Sequence, residues 1–86
     1  MIVGFADNGW EDYQYWVQND KKIVKRINLL LKDIKRDPFD SKGLGKPERL
    51  KENLSGYFSR RITSEHRLVY KIIDDIVVIA QCRYHY

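Results

Sequence analysis

A chain of 86 residues with 43% hydrophobic and 13% aromatic content folds as one globular domain (residues 1–86), since disordered chains carry fewer aromatic and branched side chains. Folding hides only roughly 60–65% of the surface at this length, which excludes multi-domain enzymes and large cofactor folds. The net charge of +4 is segregated: residues 1–20 hold four acids and no Lys or Arg, and all 16 bases follow, a distribution that suits a polyanion such as nucleic acid but is shared by many small soluble proteins.

Residues 2–5 are apolar and β-branched and stop at the Asp7-Asn8 turn signal, which predicts a short strand. Asn8 and Glu11 stand at capping-box spacing and predict a helix start, with Trp10, Tyr13, Trp16 and Val17 as its apolar stripe. A second helix follows more clearly. Ile23, Val24, Ile27, Leu30, Leu31 and Ile34 fall on one helical face, Asp20 suits its N-cap, and Pro38 forces its end. The lysines between them lie mostly off that stripe, as a solvated face does.

Two Pro and two Gly make residues 37–47 a loop, and a short turn is expected around residues 48–53. The remainder reads as strands over residues 57–63, 66–73 and 76–82, the last two joined by a tight turn at Asp74-Asp75. The order β-α-α-β-β-β predicts an α+β fold: two N-terminal helices on one face of a mainly antiparallel sheet of four to five strands.

Pairing arithmetic brings some of the chemistry-bearing residues together. With a two-residue turn at Asp74-Asp75, Ile73 faces Ile76 and Arg67 falls opposite Cys82, so His85 and Tyr86 emerge at the end of the sheet where Arg67 sits. A three-residue loop at Thr63-Ser64-Glu65 places Arg61 opposite Arg67, whereas a two-residue loop places Ile62 there. Two guanidiniums side by side repel unless an anion joins them, and their planar donors suit phosphate oxygens. A glutamate can take a proton from a nucleophile and a histidine can protonate a leaving oxygen. RNA brings its own nucleophile, the 2′-OH, so these residue types supply a ribonuclease without a metal or other cofactor.

Taken singly, each candidate also has a plain structural reading. Glu48 suits the first turn of a helix, and Arg61 and Arg67 can pair with Glu65 or Glu52. His85 belongs by default to a frayed tail, His66 to a strand with a local hydrogen bond, and Tyr84 and Tyr86 to packing on the sheet. One cysteine cannot form an internal disulfide and, with two histidines, is too few for the usual zinc sites. This points to a reducing compartment, with Cys82 as a core or sheet residue of no redox role. No signal peptide and no apolar run of membrane-spanning length is present, so a cytoplasmic protein with no membrane partner is expected.

The run Lys46-Pro47-Glu48-x-Leu50-Lys51-x-Asn53-Leu54-Ser55-Gly56-Tyr57-x-Ser59-Arg60-Arg61-Ile62 resembles the YoeB (Txe/YoeB) toxins. So do Glu65-His66-Arg67-Leu68-Val69-Tyr70, the ending Cys82-Arg83-Tyr84-His85-Tyr86, and two stretches of the first 25 residues. The resemblance spans nearly the whole chain and departs in the Gly43-Leu44-Gly45 loop, which is longer than in the family's familiar member. It implies a RelE/YoeB-like, microbial-ribonuclease-like fold and a toxin of a bacterial toxin–antitoxin system. It further implies ribosome-dependent cleavage of mRNA in the A site, so that mRNA and ribosomal RNA are partners. A homodimer and a cognate, YefM-like antitoxin are implied as well. By position, the general base falls on Glu48, the transition-state-stabilising arginine on Arg67 and the general acid on His85. Lys51, Arg61 and Tyr86 fall on positions linked to substrate binding or support of the site, and no metal is implied. Two other readings share the fold: a non-catalytic ParE-like toxin that binds DNA gyrase, and a basic RNA-binding module.

Overall fold

The computed structural model describes all 86 residues. In chain order they form β1 (Ile2–Phe5), α1 (Asp7–Asn19), α2 (Lys21–Arg36), β2 (Glu48–Arg49), a 3-10 turn (Glu52–Leu54), β3 (Phe58–Arg61), β4 (Arg67–Ile73) and β5 (Ile76–Gln81). The five strands make one sheet in the order β1-β5-β4-β3-β2, with β1 parallel to β5 and the other neighbours antiparallel. Both helices cover one face. Trp16, Ile27, Leu30 and Ile34 pack there against Leu68, Tyr70, Val77 and Ile79 from the two central strands.

Asp20 joins the helices. Its backbone N–H closes α1 on the Trp16 carbonyl, and its carboxylate accepts from the backbone N–H groups of Lys22 and Ile23 to cap α2. The expected cap at Asn8 does not form. Ala6 still donates to Ile79 of the sheet, so the chain turns from strand into helix at Asp7 and Asn8 already lies in the first turn. The stripe of α1 is displaced as well. Gly9, Tyr13 and Trp16 face the sheet, while Trp10 and Val17 are largely exposed. Gly9 sets that geometry, because a Cβ there would collide with the Ile79 carbonyl oxygen. Gly9→Ala is therefore expected to lower the unfolding free energy by about 1–3 kcal/mol, read as a lower denaturant midpoint at unchanged slope.

The β4–β5 hairpin keeps the expected register from Ile73↔Ile76 to Tyr70↔Ile79, then slips by one residue so that Val69 pairs with Gln81. Ala80 is the extra residue of a bulge. The slip corrects the expected Arg67–Cys82 pairing: Arg67 instead donates its backbone N–H to the Tyr84 carbonyl. It also swaps faces, since a one-residue shift inverts every later side chain. Gln81 turns away from the helices and Cys82 turns into the core, where it is fully buried. Burial, with the Asp12 carboxylate adding to it, pushes the Cys82 thiol up to about 12. The thiol is expected to ignore aromatic disulfide reagents in the folded protein at mildly alkaline pH and to react fully in denaturant.

One charge is buried outright. Arg60, on the helix-facing side of β3, donates to the Asp33 carboxylate at 2.6 Å, to the carbonyls of Leu44 and Asp37, and to the Tyr70 hydroxyl. Those bonds tie the loop of residues 37–47 to α2 and β3. Gly45, at φ +83, brings that loop close enough for its carbonyl to accept from Arg61.

Candidate active site

The sheet face away from the helices carries the predicted residues. Along β3, Phe58 and Arg60 point toward the helices, so Ser59 and Arg61 point away from them. Glu48 pairs with Ser59, Ser59 with Val69, and Val69 with Gln81, giving a row across four strands on that face. Glu48 thus stands on a two-residue edge strand rather than in a turn or a helix. It is exposed and has no hydrogen-bonding or ionic partner in the protein. Leu50 turns inward and is buried, which leaves Lys51 exposed at the start of the 3-10 turn.

Arg61 pairs directly with Arg67, the arrangement of the three-residue loop. Neither guanidinium meets a carboxylate. Glu65 lies 3.5 Å from His66 instead, and Glu52 pairs with no cation. Arg67 uses Nη1 alone, donating to the carbonyls of Thr63, Ser64 and His66. Its Nε and Nη2 make no hydrogen bond within the protein. Two adjacent cations without a counter-charge form a receptor for an anion, and their forked donors favour phosphate.

The C-terminal residues fold back over this face rather than fray. The Gln81 side-chain amide donates to the His85 carbonyl at 3.2 Å, and the Tyr86 hydroxyl lies 3.5 Å from the Ser59 hydroxyl. Ser59 is consequently buried although no helix covers it. Both tail residues are therefore held to the row that begins at Glu48. Glu48, the cross-strand Arg61–Arg67 pair and the folded-back His85-Tyr86 tail thus share one face of the sheet, with Ser59 and Val69 buried at its middle and Lys51 exposed at its edge.

Three side chains behind this row make bonds that the sequence did not reveal, although Trp16 stood on the expected α1 stripe and His66 was expected to make only a local hydrogen bond. Trp16 donates from Nε1 to the Cys82 carbonyl, and Asp12 accepts from the Cys82 N–H. His66, just before β4, accepts from the backbone N–H of Tyr84 through Nδ1. Each acts on backbone across a long sequence separation.

Two helices on a mixed five-stranded sheet, with a basic strip beside a structured C-terminus, define the class of small toxin to which the chain compares. The family description "YoeB-like toxin of bacterial type II toxin-antitoxin system" matches residues 5–86. The YoeB toxin of Synechocystis is 62% identical over 86 residues, covering 100% of this chain and 98% of that one. A YoeB/ParE toxin from Agrobacterium tumefaciens, 44% identical, superposes with a TM-score of 0.94 over 100% of both chains. Staphylococcus aureus YoeB, 55% identical, has been solved as a heterotetrameric YoeB–YefM complex and as a dimer, with TM-scores of 0.89 and 0.90, each over 100% of this chain and 98% of that one. The chain belongs to the YoeB family and is a toxin of a type II toxin–antitoxin system.

Proposed function

We propose that this toxin is a ribosome-dependent endoribonuclease that cuts mRNA in the A site and so arrests translation. The observation that carries the reading is the Arg61–Arg67 pair without a counter-charge, on the same face as Glu48 and the folded-back His85-Tyr86. In the reaction, the Glu48 carboxylate takes the proton of a ribose 2′-OH and O2′ attacks the adjacent phosphorus. Arg67 stabilises the charge of the pentacoordinate phosphate, with Arg61 and Lys51 binding the substrate backbone. The bond to O5′ breaks as His85 gives its proton to that oxygen, and Tyr86 supports the site. The products are a 2′,3′-cyclic phosphate and a 5′-hydroxyl. Water can then open the cycle to a 3′-phosphate with the two roles reversed. All the chemistry falls to side chains, each proton transfer contributing about 10²–10⁴-fold.

The partners follow from the family. The Staphylococcus aureus relative assembles with YefM and as a dimer. A YefM-like antitoxin and a homodimer are proposed here on that basis, in the bacterial cytoplasm where ribosomes are found. The basic second half of the chain tracks ribosomal RNA and mRNA phosphates, so binding weakens with salt. The acidic first 20 residues sit on the helical side, away from that surface.

Primer extension on mRNA from translating ribosomes tests the proposal. Wild-type toxin is expected to leave new 5′ ends at the A-site codon, with no inhibition of gyrase supercoiling. Arrested gyrase with intact mRNA would instead make the chain a ParE-like binder.

A further inference from the structure

We propose that His66 is a positioning residue for the ribonuclease reaction, acting through the backbone of Tyr84 to aim His85, an inference that rests on the reading above. Residues 82–86 have no regular secondary structure, so the direction in which they run is decided by bonds from elsewhere. The decisive point is Tyr84, a non-glycine residue at φ +64. Left-handed backbone at such a residue is strained and persists only where the surroundings hold it. Both polar groups of Tyr84 are held by one dipeptide. Its N–H donates to His66 Nδ1 at 2.7 Å, and its carbonyl accepts from the Arg67 N–H at 3.0 Å.

That turn sends the chain back over the sheet. Beyond it, the His85 carbonyl reaches Gln81 and the Tyr86 hydroxyl reaches Ser59. An extended Tyr84 would carry the chain off the end of β5 and take His85 and Tyr86 away from Gln81 and Ser59, to which they are held. His66 itself cannot drift. It is 8% exposed, its ring meets Trp16 edge-on at 4.8 Å and Tyr84 at 5.6 Å, and Glu65 lies 3.5 Å from Nε2. Because the partner at Nδ1 is an N–H, that nitrogen is the acceptor and the ring proton belongs on Nε2, toward Glu65. Arg83 finishes the clamp, its guanidinium lying over the rings of Tyr15 and Tyr84. The two histidines thus divide the work: one touches the substrate and the other fixes the strap that carries it.

The test compares His66→Leu, which has no acceptor, with His66→Asn, whose Oδ1 stands where Nδ1 stood. The full chain is assayed for kcat and KM by multiple-turnover cleavage with programmed ribosomes in excess over toxin. His66→Leu is expected to lower kcat about 10²-fold at unchanged KM, the effect of a displaced catalytic group, and His66→Asn to recover most of it. A wild-type kcat in His66→Leu, equal losses in both variants, or a loss confined to KM would each overturn the proposal. Nitrogen-15 NMR of the wild type gives a second measurement that needs no variant to fold. Protonated Nε2, with a through-bond coupling between the Tyr84 N–H and Nδ1, is expected; protonated Nδ1 would overturn the latch. If wild-type toxin cleaved nothing, the ribonuclease reading would fall, while the tautomer would still report on the latch.

Discussion

Replacing Glu48 by Gln or His85 by Ala is expected to slow mRNA cleavage on translating ribosomes by about 10²–10⁴-fold each. Glu48→Gln removes the proposed base while keeping the size of a side chain that bonds to nothing in the protein, on an exposed two-residue edge strand. The fold has no reason to respond, so the loss should appear with an unchanged melting curve. His85→Ala removes the proposed acid but leaves the Gln81 bond, which uses the His85 carbonyl. The tail stays in place and the loss isolates proton transfer to the leaving oxygen. In the double variant the effects should fall short of the product of the two, because base and acid serve one transition state. Single-turnover cleavage of a programmed ribosome measures all three.

The largest expected effect on stability comes from the buried arginine. Asp33→Ala should cost about 3 kcal/mol or more, because the Arg60 charge stays buried after its carboxylate is gone. The remaining partners are carbonyls and the Tyr70 hydroxyl, which satisfy the N–H groups but not the charge. Urea unfolding reads the loss directly. The same pair makes stability depend on acid. The Arg60 hydrogen bond first, then the Leu44 N–H, and less strongly the hydrogen bond from Arg36 Nε, hold the Asp33 carboxyl down from 3.8 to about 2, against its partial burial. The unfolded chain therefore binds that proton more readily than the folded one. The contribution is complete above an unfolded value near 3.8 and is lost as pH falls toward about 2. The stability gap between wild type and Asp33→Asn should close over that interval.

Local rules made much of this fold legible. Asp20 stands one residue before a strongly periodic face, and it caps α2 as its side chain dictates. A three-residue loop was enough to place Arg61 opposite Arg67, because pairing in a hairpin is fixed by the turn. The α1 stripe misled because its closest contact with the sheet belongs to Gly9, which a count of apolar side chains passes over. The bulge at Ala80 left no mark in composition, and one inserted residue was sufficient to redirect the last strand. Arg60 and Arg61 are chemically identical neighbours with opposite fates. One is buried against Asp33 and the other faces solvent, a difference made by the face of the strand and by a carboxylate 27 positions away.

The candidate site was legible in its residues more than in its geometry. Arg67 and His85 gained their placement from the hairpin, although the bulge moved the tail by one residue. Glu48 offered no such route, since a two-residue edge strand has too few side chains to show alternation. The latch at Tyr84 lay beyond reach for a related reason. It joins a side chain to backbone 18 positions away, and backbone acceptors and donors are the same in every sequence.

The end groups of the cut mRNA test the central claim most directly. Attack by the 2′-OH with proton transfer through Glu48 and His85 predicts a 5′-hydroxyl on the downstream fragment and a 2′,3′-cyclic phosphate, or its 3′-phosphate hydrolysis product, upstream. A downstream 5′-phosphate with an upstream 3′-hydroxyl would mean that water attacked the phosphorus and the 3′-oxygen departed, and would contradict the account.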